Sequence, residues 1–294
     1  MTELLLHFDD ETVLAEALAH ALGCALQPIR RHRFPDGENK LTLPAKLPQR
    51  VALLRGLQQP NAKLAELMIV APAARDLGAR HLTLVCPYLA YMRQDMAFTP
   101  GEAVSQRHIG AALAGWFDHV ITIDPHLHRV ATMDEVLGGK RGTAVSAAAL
   151  LGDWAARHVE RPILLGPDAE AAQWVRLAAA AHGLEHGACS KQRSGDREVA
   201  VALPPMDFAG RAVVLIDDVA STGRTLAAAA VALLAQGALS VDVAVTHALF
   251  VDDALARLAG AGIRHVWSSD SVPHSSNVVS VVPLLVAALA DQRA

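Results

Sequence analysis

Val213-Val214-Leu215-Ile216-Asp217-Asp218-Val219-Ala220-Ser221-Thr222-Gly223-Arg224-Thr225, followed by an Ala/Leu-rich run to Gln236, decides the architecture of this chain. An apolar run without polar alternation reads as a strand buried on both faces, as in a parallel sheet covered by helices. The run over 225–236 reads as a helix, with Gly237 as its stop. The same alternation recurs outward from this point. Residues 51–54, 82–86, 120–124, 163–166, 212–217 and 241–246 read as strands. Residues 62–77, 105–116, 169–182 and 225–236 read as helices, with Ser105 as an N-cap. Strand–helix alternation of this kind makes an α/β protein with mainly parallel sheets, whose ligands bind beyond the carboxyl ends of the strands.

The loop itself carries chemistry. Backbone N–H groups in a short Gly-bearing turn, together with the N-terminus of the helix it opens, form an anion site. Ser221, Thr222 and Thr225 add hydroxyl donors, and Gly223 permits close backbone approach or positive φ. Asp217 and Asp218 would repel a phosphate; they suit sugar hydroxyls, as acceptors, or a Mg²⁺ ion. A phosphate beside a diol describes ribose 5-phosphate. Two acids before a turn are, on their own, more often a solvated corner with a helix cap. The complete strand, acid pair, hydroxyl turn and helix outweigh that reading.

Composition bounds the rest. The chain has 294 residues, 52% hydrophobic and 19% charged, enough for two domains with sizeable cores. The small-residue stretch at 143–149, after Gly138-Gly139-Lys140-Arg141-Gly142, is the expected boundary. A net charge of −4 and no basic tail or stripe speak against a nucleic-acid partner. The N-terminus has no positive region ahead of its short apolar run, and the apolar segment 278–290 is too short to span a bilayer and holds Pro283. No membrane association is expected. Cys24, Cys86 and Cys189 are scattered, which suggests reduced thiols in a cytoplasmic protein and no zinc cluster.

Further blocks lie along the chain in a fixed order. They are Arg33-Phe34-Pro35-Asp36-Gly37-Glu38, then Pro87-Tyr88-Leu89-Ala90-Tyr91-Met92-Arg93-Gln94-Asp95 with Gly101-Glu102-Ala103-Val104-Ser105. Val120-Ile121-Thr122-Ile123-Asp124-Pro125-His126, Gly166-Pro167-Asp168 and Ser190-Lys191-Gln192-Arg193 follow, and Val281-Val282-Pro283-Leu284-Leu285 closes the series. The 217–225 loop resembles the phosphoribosyl-diphosphate-binding loop of the type I phosphoribosyltransferases. The set as a whole resembles the ribose-phosphate pyrophosphokinase family over nearly the whole chain, with wording nearest its archaeal-type branch.

That resemblance implies two phosphoribosyltransferase-like domains, each a mainly parallel sheet flanked by helices. They would be residues 1–146 joined by 281–294, and 147–280 with the ribose 5-phosphate loop of Asp217, Asp218, Ser221, Thr222, Gly223, Arg224 and Thr225. It implies transfer of the β,γ-diphosphate of ATP to the C1 hydroxyl of ribose 5-phosphate, with Mg²⁺ as cofactor. ATP would be bound by Phe34, Asp36, Glu38, Arg93, Gln94, Asp95 and His126. Phe34 offers a stacking face and Arg93 a phosphate fork. His126 and Asp168 would serve the metal, with His128 a rival to His126, and Asp168 has the competing role of a helix cap. Lys191 and Arg193 would be the catalytic cations of a hairpin or loop that folds over the phosphates. The resemblance further implies a homo-oligomer whose 34–38 segment reaches a neighbour's ATP site. Arg224, Pro125, Ala169-Glu170 and Ser190 depart from the commoner family wording. Two rivals share the ribose loop: a phosphoribosyltransferase, and a non-catalytic regulatory relative.

Overall fold

The continuous apolar runs form the middles of two six-stranded sheets, and both sheets are wholly parallel. The computed structural model describes residues 2–194 and 198–291, with backbone alone over 191–194 and 198–200. The chain divides into two compact units, 1–145 with 281–294, and 146–280.

In the first unit, β1 (Leu4–His7), β2 (Ala25–Pro28), β5 (Arg50–Leu54), β6 (His81–Cys86), β7 (His119–Ile123) and β8 (Arg141–Val145) are ordered β2-β1-β5-β6-β7-β8. The Leu4-Leu5-Leu6 run is therefore an interior strand, fully buried. Between β2 and β5 the chain makes an antiparallel hairpin of β3 (Arg30–Arg33) and β4 (Asn39–Thr42). The helices are α1 (Thr12–Leu22), α2 (Pro60–Asp76), α3 (Ser105–Trp116), the single turn α4 (Met133–Val136) and the C-terminal α9 (Val282–Ala290). Gly23, at φ +63°, closes α1. The expected helix over 62–77 begins two residues earlier, because Pro60 suits the first turn, where no N–H is needed. α9 packs beside α1, β7 and β8.

In the second unit, β9 (Ile163–Gly166), β10 (His186–Ala188), β13 (Ala212–Ala220), β14 (Ser240–Ala248), β15 (Ile263–Ser269) and β16 (Asn277–Val279) are ordered β10-β9-β13-β14-β15-β16. The helices are α5 (Ala148–His158), α6 (Ala172–Ala180), α7 (Arg224–Ala235) and α8 (Ala254–Gly260). β13 shows why its sequence lacks polar alternation. Val214 and Ile216 pack in one core with Leu151 of α5 and Trp174 of α6. Val213 and Leu215 face the other way, into a core with Leu226 and Leu233 of α7 and Leu258 of α8. α5 and α6 pack closely: a Cβ on Gly152 would stand 2.0 Å from the backbone oxygen of Ala178. An antiparallel pair, β11 (Ser190–Ser194) and β12 (Glu198–Ala202), completes the unit, with Lys191 opposite Val201 and Arg193 opposite Val199.

Two further differences from the sequence reading bear on the site. β13 runs on to Ala220, so Asp217 and Asp218 lie within the strand; the ladder to β14 continues past them, with Val219 opposite His247. The helix expected over 169–182 starts as a 3₁₀ turn, Ala169–Ala171, before α6 begins at Ala172.

Candidate active site

β13 carries Asp217 and Asp218 to the carboxyl end of the second unit's sheet, and its neighbour β9 ends just before Asp168. Three carboxylates therefore share this end. Asp218 is buried, and its amide donates to Oδ1 of Asp217 at 3.0 Å. Burial, and repulsion from the Asp218 and Asp168 carboxylates, hold the Asp217 carboxyl well above the usual range. Asp168 also caps the 3₁₀ turn, its Oδ1 accepting from the amide of Glu170 at 3.1 Å. The cap and the metal-ligand reading are compatible, since a carboxylate has a second oxygen.

The turn from β13 into α7 is braced from one side. The amides of Leu249 and Val251 donate to the carbonyls of Ala220 and Ser221. The guanidinium of Arg257, held by Asp253 at 2.7 Å, donates to the carbonyl of Thr222 at 2.6 Å. Gly223 follows at φ +68°, and a Cβ there would press on the Leu258 side chain at 3.1 Å, so both backbone and space ask for glycine. No side chain caps α7, whose first turn opens at Gly223. Carbonyls tied back and an uncapped helix N-terminus leave a positive cradle, with Thr222 and Arg224 exposed and Ser221 and Thr225 half-buried around it. Carboxylates at its foot complete a site for a phosphorylated polyol. Arg257, outside every motif, was missed by sequence reasoning; only its spacing from Asp253 on a short helix hints at it.

In the first unit, residues 34–38 close the β3–β4 hairpin. The amide of Phe34 donates to the carbonyl of Glu38 at 2.8 Å, that of Gly37 to Phe34 at 3.0 Å, and that of Glu38 to Oδ1 of Asp36 at 3.1 Å. Gly37 adopts φ +99°. The loop presents the Phe34 ring to solvent at 39% exposure, edge-on to His32. An exposed ring at a hairpin tip, flanked by Asp36 and Glu38, suits a heterocyclic base.

The Arg93-Gln94-Asp95 segment follows β6, after Tyr91 at φ +66°. Arg93 is exposed. Gln94 is committed to the loop: its side-chain Nε2 donates to Met96 O at 3.0 Å, and its backbone carbonyl accepts from the backbone amide of Gln106 at 3.2 Å. The Asp95 side chain is buried and takes Arg129 at 2.7 Å. Both roles sit beside the ATP expectation, for they fix where Arg93 stands. Arg129 comes from the loop after β7 that also carries His126, so the Asp95 pair joins the two loops. The imidazoles of His126 and His128 meet at 2.6 Å between their Nε2 atoms, so the rivals occupy one place.

The donor chemistry fits a hard divalent cation. Mg²⁺ takes oxygen ligands, and crowded carboxylates of which one is forced toward neutrality gain from a cation among them. Lys191 and Arg193 lie on β11, and their side chains fall outside the described residues.

Comparisons with known proteins give the family. The family model for the N-terminal domain of ribose phosphate pyrophosphokinase matches residues 4–115, and that for the phosphoribosyl transferase domain matches residues 144–282. A ribose-phosphate pyrophosphokinase of Methanopyrus kandleri is 36% identical over 92% of both chains. One from Methanosarcina acetivorans is 32% identical over 94% of this chain and 95% of its own. The crystal structure of phosphoribosylpyrophosphate synthetase from Mycobacterium smegmatis shares the fold, with a TM-score of 0.86 at 24% identity over 99% of each chain. A chain that matches both domain models in order, and these enzymes along nearly its whole length, belongs to the ribose-phosphate pyrophosphokinase family.

Proposed function

We propose that the protein transfers the β,γ-diphosphate of ATP to the C1 hydroxyl of ribose 5-phosphate, giving 5-phosphoribosyl 1-diphosphate and AMP. The observation that carries this reading is the β13–α7 loop: an uncapped helix N-terminus for the 5-phosphate, with Asp217 and Asp218 below it for the ring hydroxyls. The C1 oxygen attacks the β-phosphorus. The bond from that phosphorus to the bridging oxygen of AMP breaks, and the hydroxyl proton leaves to solvent. The chain's work in such a transfer is positioning and charge stabilisation. Ser221, Thr222, Gly223, Arg224 and Thr225 hold the phosphate. Phe34 stacks on adenine, with Asp36 and Glu38 accepting from base or ribose. Arg93, set by Gln94 and Asp95, takes ATP phosphate oxygens, as does His126. Lys191 and Arg193 stabilise the group in transfer. Mg²⁺, held by Asp168 and His126, would neutralise phosphate charge when bound.

The 34–38 loop would meet ATP on a neighbouring subunit of a homo-oligomer. Sedimentation showing only monomer at full activity would refute that element. The function itself is tested by incubating the chain with ATP, Mg²⁺ and ribose 5-phosphate. AMP should appear in step with sugar diphosphate. ATP left intact in the presence of ribose 5-phosphate would refute it, and turnover of 5-phosphoribosyl 1-diphosphate with a base would favour a phosphoribosyltransferase.

A further inference from the structure

The carboxyl ends of β1 and β5 are where a parallel sheet ordinarily offers room for a ligand. Here that place is filled by the chain's own charges. Arg55, following β5, is fully buried. Its guanidinium lies 4.2 Å from the centre of the Phe8 ring and binds Oδ1 of Asp10 at 2.7 Å and Oε2 of Glu66. Glu66, on α2, is 1% exposed, and its other oxygen accepts from Arg31 at 2.7 Å. Arg31 also binds Asp9 at 2.6 Å and stands over the same Phe8 ring at 5.7 Å.

Arg31 is unlike its partners. It belongs to β3, a strand exposed at all four residues, and stands three residues before Phe34. Its guanidinium ties the exposed hairpin to a buried carboxylate that Arg55 already neutralises. A buried pair of this kind contributes little net stability, because removing both ions from water costs about as much as their attraction returns. Its geometric effect is larger: two planar forks on one carboxylate fix the direction of both.

We propose that Arg31, anchored by Glu66, is a positioning residue that aims the 34–38 loop at the adenine end of ATP. This rests on the reading of that loop as an ATP contact. Arg31 touches no substrate; it acts through the hairpin it holds. Removing it should therefore raise the KM for ATP and leave the ribose 5-phosphate site alone.

The test is steady-state kinetics on the full chain with both substrates varied, for Arg31→Gln, Arg31→Lys, Phe34→Ala and the double variant Arg31→Gln/Phe34→Ala. Arg31 is the variant of choice because Glu66 keeps Arg55 and no buried charge is orphaned. Arg31→Gln should raise the ATP KM roughly tenfold, the scale of one charged hydrogen bond, with the ribose 5-phosphate KM unmoved. Arg31→Lys should recover part of the loss, and the double variant should lose less than the sum of the two single variants. If Phe34→Ala raises the ATP KM while Arg31→Gln does not, the positioning role is overturned and the loop assignment stands. If Phe34→Ala leaves the ATP KM unchanged, the loop assignment fails and the positioning role fails with it. A lowered melting temperature with both KM values unmoved would mark Arg31 as merely structural, and also overturns the proposal.

Discussion

Glu11 offers a quantitative test of the charge cluster. Its carboxylate is 7% exposed, accepts the amide of Gly56 on Oε1, and has Oε2 3.4 Å from the Arg55 guanidinium without a hydrogen bond. Burial pushes its pKa from 4.5 to about 7, against the pull of Arg55 and Lys63, with Asp10 adding to the rise. The folded protein therefore keeps this proton where the unfolded chain has lost it. The stabilisation is complete below pH 4.5 and disappears as pH rises through about 7. At about 1.4 kcal/mol per pH unit, that gap amounts to about 3 kcal/mol. His119 works in the opposite sense: burial, with a lesser push from Arg141, lowers its imidazole from 6.5 to about 4, so its contribution grows as pH rises over that interval. The two slopes offset each other in the overlap, and the wild-type profile alone is uninformative. The decisive perturbation is Glu11→Gln. Urea unfolding of variant and wild type, followed by circular dichroism from pH 4.5 to 8.5, should give a stability difference that moves in the variant's favour by about 3 kcal/mol up to pH 7 and is constant above it. Asp10, lowered from 3.8 by Arg55 against the opposing effect of burial, titrates below that window. Profiles that run parallel throughout would refute the assignment of the proton to Glu11.

Further outcomes concern the site. Asp217→Asn should weaken ribose 5-phosphate binding by about 1.5–3 kcal/mol, one charge-assisted acceptor, with less effect on ATP. The same variant should raise thermal stability, since it relieves repulsion from Asp218 and Asp168; Asp218→Asn should share the binding loss, and a loss confined to ATP would show the loop assigned to the wrong ligand. Lys191→Ala should cut kcat by roughly 10²-fold or more with little change in KM, the scale of a lost electrostatic donor. Arg193→Ala should behave alike, the pair less than additively, and wild-type kcat in Lys191→Ala would remove the catalytic role.

What sequence alone could carry was local. The strand, acid pair, turn and helix around Asp217 were legible because each signal lies within a dozen residues, and the parallel α/β class followed from strands such as β13 that bury both faces. Short or mixed strands escaped. β1 has four residues and no room to show a period, and β15 interleaves Arg264 and His265 with its apolar residues because its surface is only partly covered. Arg31, Arg55 and Glu66 escaped for another reason. They come from a hairpin strand, a strand end and a helix, and no spacing rule joins residues 31, 55 and 66. Arg129, the partner of Asp95, is hidden in the same way, by a separation of 34 positions along the chain.

The filled end of β1 and β5 has a consequence for how this enzyme changes over time. Three cations, Arg31, Arg55 and Lys63, share their neighbourhood with Asp9, Asp10, Glu11 and Glu66, and the innermost of them have no access to water. Losing Arg55 leaves Glu66 with Arg31 alone, and losing Glu66 leaves Arg55 with Asp10 and Glu11, so either single loss under-compensates a buried charge at a cost of up to about 3–5 kcal/mol. Exchanging both for well-packed apolar residues can be neutral. Such a network resists gradual drift: exchanges made one at a time inside it are costly, while compensated exchanges are not.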